Sequence, residues 1–269
     1  YYTVLMVVAR NTSNLTRVAL EQGLEREITL AEAQASHRRE QKLRERLQQL
    51  APDIVFLQEV QGLHMKHAAR RADWPAAGQH EFLAEKIWQA AYGQNMVYDH
   101  GHHGNAILSR FPILSAHNQD VTHLQFEKRG LLHCRIALAD GSPVHCVCVH
   151  LSLFGVSRRL QMDALARYLD ALDDPDAPLI IAGDFNDWRD RAGKYLARRL
   201  GLREVFTTHD SHPEIRPIRS FPAGLPLFRL DRIYVRGFAV HDTVIHQGGV
   251  WAKISDHAAL SAYLARNET

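Results

Sequence analysis

Several short segments of the chain place a polar side chain that can do chemistry at the end of an apolar run. They carry Glu59, His150, the pair Asp184 and Asn186, and the Asp256–His257 dipeptide that opens the last apolar run. Because side chains alternate faces along a strand, Asp184 and Asn186 are predicted to point the same way from the end of a buried strand. The alternative is a Gly-Asp-x-Asn turn. Polar groups at several strand ends indicate one shared site.

Such a set of groups fits the hydrolysis of a phosphoester. The negative oxygens of a phosphoester repel nucleophiles, so a hydrolase must neutralise charge, activate water and stabilise the leaving oxygen. Glu59 is predicted to bind a metal ion, because Mg²⁺ prefers one or two carboxylates and keeps several waters. Asp184 is predicted to orient and deprotonate the attacking water, and Asn186 to hold that water or a phosphate oxygen. His150 and His257 can donate hydrogen bonds to the phosphate, more strongly when protonated.

Three further residues are predicted to line the same site. Asp256 is interpreted as a second metal ligand. Asn105, at the start of an apolar run, is predicted to form a hydrogen bond within the site, or else only to begin a strand. Arg129 is predicted to contact a substrate phosphate, or else to lie on a solvated face beside Lys128.

The histidine-rich loop at residues 98–104 offers a different kind of metal site. His100, His102 and His103 are close enough in the sequence to bind Zn²⁺ or Ni²⁺. Adjacent histidines alternate in direction on an extended chain, so fewer than all three can converge. The carboxylate-rich site is therefore the favoured interpretation.

The overall composition is typical of a globular enzyme. Hydrophobic residues make up 46% of the 269 residues and charged residues 23%, which argues against disorder. The formal net charge is only +2, which is too small for a protein dedicated to binding nucleic acid. A local basic patch could still come from Arg216, Arg219, Arg229 and Arg232.

Cysteine usage and hydropathy favour a soluble protein of a reducing compartment, most simply the cytoplasm. Cys134, Cys146 and Cys148 lack the spacing of metal ligands and are predicted to be buried free thiols. No apolar run approaches the roughly 18 residues that are needed to cross a bilayer. A removed targeting segment stays open as an alternative, since the chain starts at Tyr1.

Hydrophobic periodicity predicts the elements that must position these groups. Strands are predicted at residues 4–9, 53–60, 106–109, 131–138, 144–151, 180–184 and 230–235. Helices are predicted at residues 38–50, 81–91, 157–172 and 188–200, with Gly93 ending the second of them. A proline-rich loop at residues 207–228 is predicted to set substrate specificity. Strands mixed with a few helices, without regular βαβ alternation, favour stacked sheets flanked by helices.

Six motifs, taken together, resemble those of the endonuclease/exonuclease/phosphatase family. They are Leu57–Val60, Gly104–Ala106, Val149–Leu151, Gly183–Asn186, Leu230–Ile233 and Ser255–His257. Their order and spacing match over nearly the whole chain, so residues 1–269 are interpreted as one domain. The resemblance implies an α/β fold, a four-layer α/β/β/α sandwich of two packed mixed sheets between helices, with the site at one end of the sheets. It also implies phosphoester hydrolysis with Mg²⁺ or Mn²⁺.

The resemblance also implies roles for individual residues. In the family, an aspartate at the position of Asp231 pairs with the last histidine, here His257, and raises its pKa. The alternative is that Asp231 only bridges to a neighbouring arginine. The family's first strand usually ends in an asparagine of the metal site, and Asn11 has that position here. The histidine that often follows is missing, and Asn14 is the alternative to Asn11.

The substrate stays open among several classes. The motifs look most like those of bacterial members that carry Gln58–Gly62, Gly101–Ala106 and Glu127–Gly130, whose substrates the resemblance does not identify. A phosphorylated small molecule or a phospholipid headgroup fits the modest charge better than DNA or RNA, which requires a groove that tracks several phosphates. Lipid access would require an exposed apolar edge. That edge could come from Phe221, Leu225, Leu227 and Phe228, which could also simply pack.

One alternative belongs to another class of function. A binding protein could retain this fold without catalysis, and the altered Asn11 region is the sequence feature that favours it. Metal-independent ligand binding without turnover would distinguish it from an enzyme. No obligate protein partner is evident from the sequence.

Overall fold

Two six-stranded mixed β-sheets pack face to face, and helices cover their outer faces. The computed structural model describes residues 1–8, 24–64, 78–98, 101–174, 176–189, 191–206 and 218–267. Within these residues the predicted four-layer α/β/β/α sandwich is confirmed. Asn11, Asn14, His100 and Arg216 lie outside them.

The first sheet has the strand order β11-β12-β1-β2-β4-β3. Its strands are β1 (Tyr2–Val8), β2 (Ile54–His64), β3 (Gln89–Tyr98), β4 (Gly101–Ser109), β11 (Phe238–His246) and β12 (Ala259–Arg266). The second sheet has the order β5-β6-β7-β8-β10-β9. Its strands are β5 (Ile113–Asp120), β6 (Gly130–Ala137), β7 (Pro143–His150), β8 (Leu179–Asp184), β9 (Arg203–Glu204) and β10 (Asp231–Arg236).

Five helices flank the two sheets. They are α1 (Leu24–Leu50), α2 (Gln79–Ala84), α3 (Gly155–Asp170), α4 (Arg191–Leu200) and α5 (Trp251–Ile254). Helices α1, α2 and α5 contribute apolar side chains to the outer face of the first sheet, and α3 and α4 to that of the second. In the described part of the chain, no helix has both the length and the apolar character that crossing a membrane requires.

The alternation of side chains along the strands produces the layers. In β1, Val4 and Met6 face the second sheet, whereas Leu5 packs outward against Leu43 and Leu47 of α1. All five side chains are at most 2% exposed. Because each sheet is apolar on both faces, the strands need a sheet on one side and helices on the other to exclude water.

The three cysteines lie buried and unpaired in the core between the sheets, as predicted. Burial raises the pKa of Cys134 and Cys148 to about 12, and it raises that of Cys146 well above the ordinary value of a thiol. The thiols therefore stay protonated, and they behave as small packing groups rather than as nucleophiles or metal ligands.

The prediction of a helix at residues 81–91 is wrong in its second half. Helix α2 stops where Glu85 adopts a φ of +46°, and β3 follows. Ala91, at the end of the predicted helix, packs into the core from the strand instead. Gly93 does not end a helix but pairs with Asn105 of β4. A short apolar run fits both the period of a helix and that of a strand, and here the pairing with β4 makes the segment a strand.

The prediction of a loop at residues 98–104 is also corrected. The chain from Gly101 onward belongs to β4, so Asn105 lies within a strand rather than at its start. A Cβ on Gly104 would lie 1.8 Å from the backbone oxygen of Gly93. Gly104 therefore allows two strand backbones to approach closely, and sequence alone does not distinguish such a glycine from one in a loop.

Gly183, next to the end of β8, tolerates no side chain. Its φ is +149°, and a Cβ would lie 1.9 Å from the backbone oxygen of Val149. We expect Gly183→Ala to lower the free energy of unfolding by about 3 kcal/mol or more, because relieving the clash would break the pairing of β7 with β8. Urea denaturation measures this change.

Gly224→Ala is the matched control for this substitution. Gly224 is exposed, and a Cβ there would meet no atom within 4 Å. Its replacement is expected to change the free energy of unfolding by less than about 0.5 kcal/mol. Equal stability of the two variants would contradict the described packing of β7 against β8.

Candidate active site

The strands of the second sheet bring the predicted polar residues to one edge. Strands β7 and β8 are parallel, and His150 lies opposite Asp184. Strand β10 runs antiparallel to β8, so Asp231 at its start also lies opposite Asp184. Strand β6 runs antiparallel to β7 and begins at Gly130, directly after Arg129. Polar groups from four strands therefore meet at one end of the sandwich.

A turn, rather than strand alternation, joins Asp184 and Asn186. Strand β8 ends at Asp184, whose Oδ1 accepts a hydrogen bond of 2.7 Å from the backbone N–H of Asn186. Asn186 adopts a φ of +50°, and its Nδ2 donates to the backbone oxygen of Leu151 at 2.8 Å. The prediction that Asp184 and Asn186 point the same way along a strand is wrong, and the turn alternative is correct.

Asp231 and His257 form a buried hydrogen-bonded pair, as the family resemblance implied. Asp231 Oδ2 lies 2.8 Å from His257 Nδ1. Burial alone would lower the pKa of His257, but the charge of Asp231 and this hydrogen bond outweigh burial and raise the pKa to about 10. His257 is therefore protonated at neutral pH and keeps an N–H at Nε2 for another partner.

The arginines next to Asp231 do not compete for it. Arg229 Nη2 lies 2.7 Å from Glu204 Oε1, and Arg232 Nε lies 3.6 Å from the same oxygen. Arg232 is 1% exposed and its Nη2 also donates to the backbone oxygen of Asp187. The alternative that Asp231 only bridges to an arginine is wrong, and Arg229 and Arg232 are structural rather than parts of an open basic patch.

His150 and Asp184 are close, but they do not form a charged pair. His150 Nε2 lies 3.7 Å from Asp184 Oδ2. Burial, and then the charges of Arg129 and His257, lower the pKa of His150 well below its ordinary value. Burial, and then the charge of Asp231, raise the pKa of Asp184. The site therefore holds a neutral imidazole beside a protonated one.

Glu59 reaches the site because β2 carries a bulge. The pairing of β2 with β4 shifts register between Leu57 and Val60, and Glu59 within this bulge adopts a φ of +56°. A bulge with a left-handed residue changes the direction of a side chain and is common beside functional sites. The charge of Glu59 acts on the pKa of both Asp184 and Arg129, so its carboxylate lies within electrostatic range of both.

Arg129 is held beside the site by Glu127, which sequence reasoning missed. Arg129 Nη2 donates to Glu127 Oε1 at 3.0 Å, and Glu127 also accepts from Ser152 Oγ and from the backbone N–H of Leu153. The Arg129 side chain is only 13% exposed, so the alternative of a solvated face is wrong. Its Nε is buried without a hydrogen-bond partner among the described residues, which leaves a donor for an anion.

Asn105 links the two sheets at the edge of the site. Its Nδ2 donates to the backbone oxygens of Gly130 and Cys148 at 3.0 and 3.4 Å. Its Oδ1 is buried and has no hydrogen-bond partner in the described part of the chain. The position is structural, and it leaves one buried acceptor that is not used by the protein.

His102 and His103 point in different directions from β4, as alternation predicted. His102 Nδ1 lies 2.9 Å from the hydroxyl of Tyr92. His103 faces the active site, where burial and then the charge of Arg129 lower its pKa to about 4. Within the described residues, no three ligands from this loop converge on a zinc or nickel site. His103 lies two positions before Asn105, and side chains two apart on a strand share a face. This spacing was the signal in the sequence that His103 lies at the site.

One group of three ionisable side chains that could hold a metal ion converges among the described residues. Ligand atoms of Asp184, Asp231 and His257 lie within 4.8 Å of one another. A doubly protonated His257 is not a metal ligand. The carboxylates fit a hard cation, because Asp231 Oδ1 is buried without a hydrogen-bond partner in this part of the chain and the negative charge of Glu59 also acts on Asp184.

The other two predicted metal ligands are not placed in this group. Asp256 is exposed, and its backbone oxygen accepts a hydrogen bond of 2.6 Å from the backbone N–H of Ala223. Its charge nevertheless acts on His257, so it lies near the site. Asn11 is outside the described residues.

The predicted apolar edge lies beside His257. The ring of Phe221 is 4.8 Å from the ring of His257, and Phe221 pairs with Phe228 through an isolated β-bridge. Leu225, Leu227 and Phe228 are exposed rather than packed, with exposed fractions of 69%, 50% and 45%. The edge is therefore confirmed as an open apolar surface.

Known proteins share both the sequence pattern and the fold. The sequence model of the Endonuclease/Exonuclease/phosphatase family matches residues 18–257. The chain is 44% identical over 223 residues to the uncharacterized protein YbhP of Escherichia coli (strain K12), a match that covers 82% of this chain and 86% of that protein.

Two solved structures, one of a sugar phosphatase and one of a protein bound to DNA, have the same fold. A mannosyl-6-phosphatase of Bacteroides thetaiotaomicron has a TM-score of 0.69 at 17% identity and covers 98% of this chain and 100% of its own. TDP2 of D. rerio, complexed with a single strand DNA product, has a TM-score of 0.66 at 18% identity and covers 98% of both chains. These structures show the fold, while the family match and the YbhP relationship show that the chain belongs to the endonuclease/exonuclease/phosphatase family.

Proposed function

We propose that residues 1–269 form one domain that acts as a divalent-metal-dependent phosphoesterase. The observation that carries the proposal is the position of the Asp231–His257 pair directly beside the buried carboxylate of Asp184. A carboxylate can take a proton from water while an adjacent imidazolium stabilises negative charge on a phosphate. Hydrolysis of a phosphoester requires both actions at the same phosphorus.

Asp184 orients the attacking water and accepts its proton. The hydrogen bond from the backbone N–H of Asn186 to Asp184 Oδ1 fixes the carboxylate and leaves Oδ2 to face the water. The hydrogen bond from Asn186 Nδ2 to the backbone oxygen of Leu151 holds the turn in place, so Asn186 Oδ1 is the atom that can position the same water. A base fixed in this way loses little entropy in the reaction.

The two histidines stabilise the phosphate in different ways. His257 donates from Nε2 as a charge-assisted hydrogen bond, while Asp231 holds the ring through Nδ1. His150 is neutral and donates a single N–H, so it adds a hydrogen bond without placing a second positive charge against His257. Arg129 supplies the remaining cationic donor through its buried Nε.

Glu59 is the residue that we assign to a divalent cation, with Asp256 and Asn11 as further ligands. A bound Mg²⁺ or Mn²⁺ supplies charge neutralisation at the phosphate oxygens and acidifies bound water. The bulge at Glu59 supports this assignment, because it turns the carboxylate toward Asp184 and Arg129.

A nuclease of the same family is the second candidate. It would require a groove in which several cations track a backbone. Arg229 and Arg232 pair with Glu204, so two of the four predicted arginines are not available to such a groove. A phosphorylated small molecule or a phospholipid headgroup is therefore favoured, as either a monoester or a diester. A non-catalytic binding protein is disfavoured, because it has no need of the buried Asp231–His257 pair.

Glu59→Gln tests the metal assignment. The substitution keeps the size of the side chain and removes its charge, so we expect the Mg²⁺ concentration for half-maximal turnover to rise by at least about tenfold. The measurement is a Mg²⁺ titration of the hydrolysis of a soluble chromogenic phosphodiester.

Glu45→Gln, an exposed change on α1, is the matched control and is expected to titrate like the wild type. A Glu59→Gln variant with the wild-type Mg²⁺ dependence would mean that Glu59 does not bind the ion.

A further inference from the structure

Exposed apolar side chains lie on the chain segments that adjoin the candidate active-site residues. They include Phe126, Leu153, Phe154, Trp188, Leu225 and Phe228, which are 45% to 70% exposed. Single exposed apolar residues are normal on protein surfaces. Here, however, eight of the fourteen large exposed apolar side chains in the described residues lie on only four segments, at residues 124–128, 151–156, 186–189 and 218–228. We call these four segments the apolar rim.

Two segments of the apolar rim are joined to each other and to the site. Phe126 precedes Glu127, and Glu127 accepts a hydrogen bond from Arg129 beside the candidate active site. Phe154 follows the end of β7 at His150, and its ring lies 5.9 Å from that of Phe126 in an edge-to-face contact. Because Glu127 also binds the backbone N–H at residue 153, the two aromatic rings are fixed relative to Arg129.

The other two segments adjoin the neighbouring strands β8 and β10, which carry Asp184 and Asp231. Trp188 comes two residues after Asn186, in the connection that leaves β8. Phe228 pairs with Phe221, whose ring contacts His257. If the whole apolar rim contacts a membrane, the lipid headgroups lie next to Asp184 and His257.

The exposed charged side chains on the apolar rim are basic. Arg189 and Arg219 are exposed, and none of the four segments carries an exposed acidic side chain. The guanidinium of Arg189 lies 4.5 Å from the centre of the Trp188 ring. Apolar side chains with tryptophan and arginine among them form the pattern of a surface that inserts into the headgroup region of an anionic membrane.

We propose that the apolar rim docks on the surface of an anionic phospholipid bilayer and that the substrate is a phosphoester in a lipid headgroup. The second part rests on the proposed phosphoesterase function. Single-stranded nucleic acid fits less well, because Leu153, Val156 and Leu225 have no ring on which a base can stack. Aliphatic side chains instead gain from entering an apolar phase.

The test is co-sedimentation of the purified protein with two kinds of vesicle. One is made of equal parts phosphatidylcholine and phosphatidylglycerol, and the other of phosphatidylcholine alone. We expect Phe126→Ser/Phe154→Ser to weaken binding to the mixed vesicles by at least about tenfold, because two apolar rings no longer leave water. Arg189→Gln is expected to weaken binding to the mixed vesicles only.

Leu114→Ser is the matched control, because Leu114 is 53% exposed and lies near the start of β5, at the opposite end of the sheet. It is expected to bind as the wild type does. Turnover of a soluble chromogenic phosphodiester is expected to be unchanged in the Phe126→Ser/Phe154→Ser variant, because among the described residues the ring contact of each phenylalanine is with the other.

The outcomes separate docking from chemistry. Wild-type protein that does not sediment, or a double variant that sediments as well as wild type, would overturn the docking proposal. Selective loss of single-stranded DNA binding in the double variant, without any vesicle binding by the wild type, would overturn it in favour of nucleic acid. Rim-dependent vesicle binding without turnover of any phosphoester would support docking and overturn the proposed chemistry.

Discussion

Asp184→Asn is expected to lower kcat by about a thousandfold, because the amide cannot accept a proton from the attacking water. The substitution keeps the size of the side chain and the Oδ1 that accepts the hydrogen bond from the backbone N–H of Asn186. The turn after β8 is therefore expected to persist. The measurement is kcat for a soluble phosphodiester at saturating Mg²⁺.

The same substitution is expected to stabilise the metal-free protein at alkaline pH. Burial, and then the charge of Asp231, raise the pKa of Asp184 in the folded state above its unfolded value. The folded state therefore binds a proton that the unfolded state has released, and stability falls as the pH rises from the unfolded pKa through the folded one. Asparagine removes this loss, so the Tm of Asp184→Asn in EDTA should fall less with pH than that of the wild type.

Asp170→Asn is the control for both measurements. Asp170 is an exposed partner of Arg199 on the outer surface, and its replacement is expected to leave kcat unchanged. An Asp184→Asn variant that is inactive but much less stable than wild type at alkaline pH would contradict the account, since it would show that Asp184 serves the fold.

His257→Ala is expected to reduce kcat by about a thousandfold as well, because a positioned imidazolium beside the phosphate is lost.

Asp231→Asn is expected to change the pH dependence of kcat. Asp231 raises the pKa of His257 to about 10, whereas burial lowers it. Without the carboxylate, His257 loses its proton at a lower pH, so kcat should decline as the pH rises through neutrality. In the wild type the protonated form persists to about pH 10.

The pH–rate profile of Asp231→Asn distinguishes a lowered pKa of His257 from a general disruption of the site. Activity of Asp231→Asn should recover as the pH is lowered, because His257 regains its proton there. An Asp231→Asn profile parallel to that of the wild type would mean that the Asp231–His257 pair does not set the charge needed for turnover.

The sequence predicted most of the site because its positions depend on local signals. His150 and Asp184 each follow an apolar run, and such runs ended as buried strands at one edge of the sheet. The pairing of Asp231 with His257 came from the family resemblance, since nothing local relates two residues 26 positions apart. The four-layer fold was predicted in the same way.

The geometry of Glu59 could not be predicted, because it depends on a bulge. Strict alternation from Phe56 inward and Leu57 outward would place Glu59 on the helix-covered face. The register shift of β2 against β4 and the positive φ of Glu59 change that direction. A bulge reflects the partner strand as much as its own sequence, so one segment read alone does not reveal it.

Residues that act through partners distant in sequence were also missed. Glu127 begins a segment that resembles bacterial family members, but that resemblance gave it no role, and only its contacts with Ser152 and Arg129 assign it to the site. The prediction of a helix at residues 81–91 was wrong for a similar reason. The apolar positions there fit the period of a helix and that of a strand equally well, and the pairing of β3 with the distant β4 determines that a strand forms.

The most direct test of the central claim is hydrolysis of soluble phosphomonoesters and phosphodiesters by wild type and Asp184→Asn, with Mg²⁺, Mn²⁺ or EDTA. We expect turnover by the wild type that requires a divalent cation, stops in EDTA and is lost in Asp184→Asn. Turnover that continues in EDTA, or an Asp184→Asn variant as active as wild type, would contradict it.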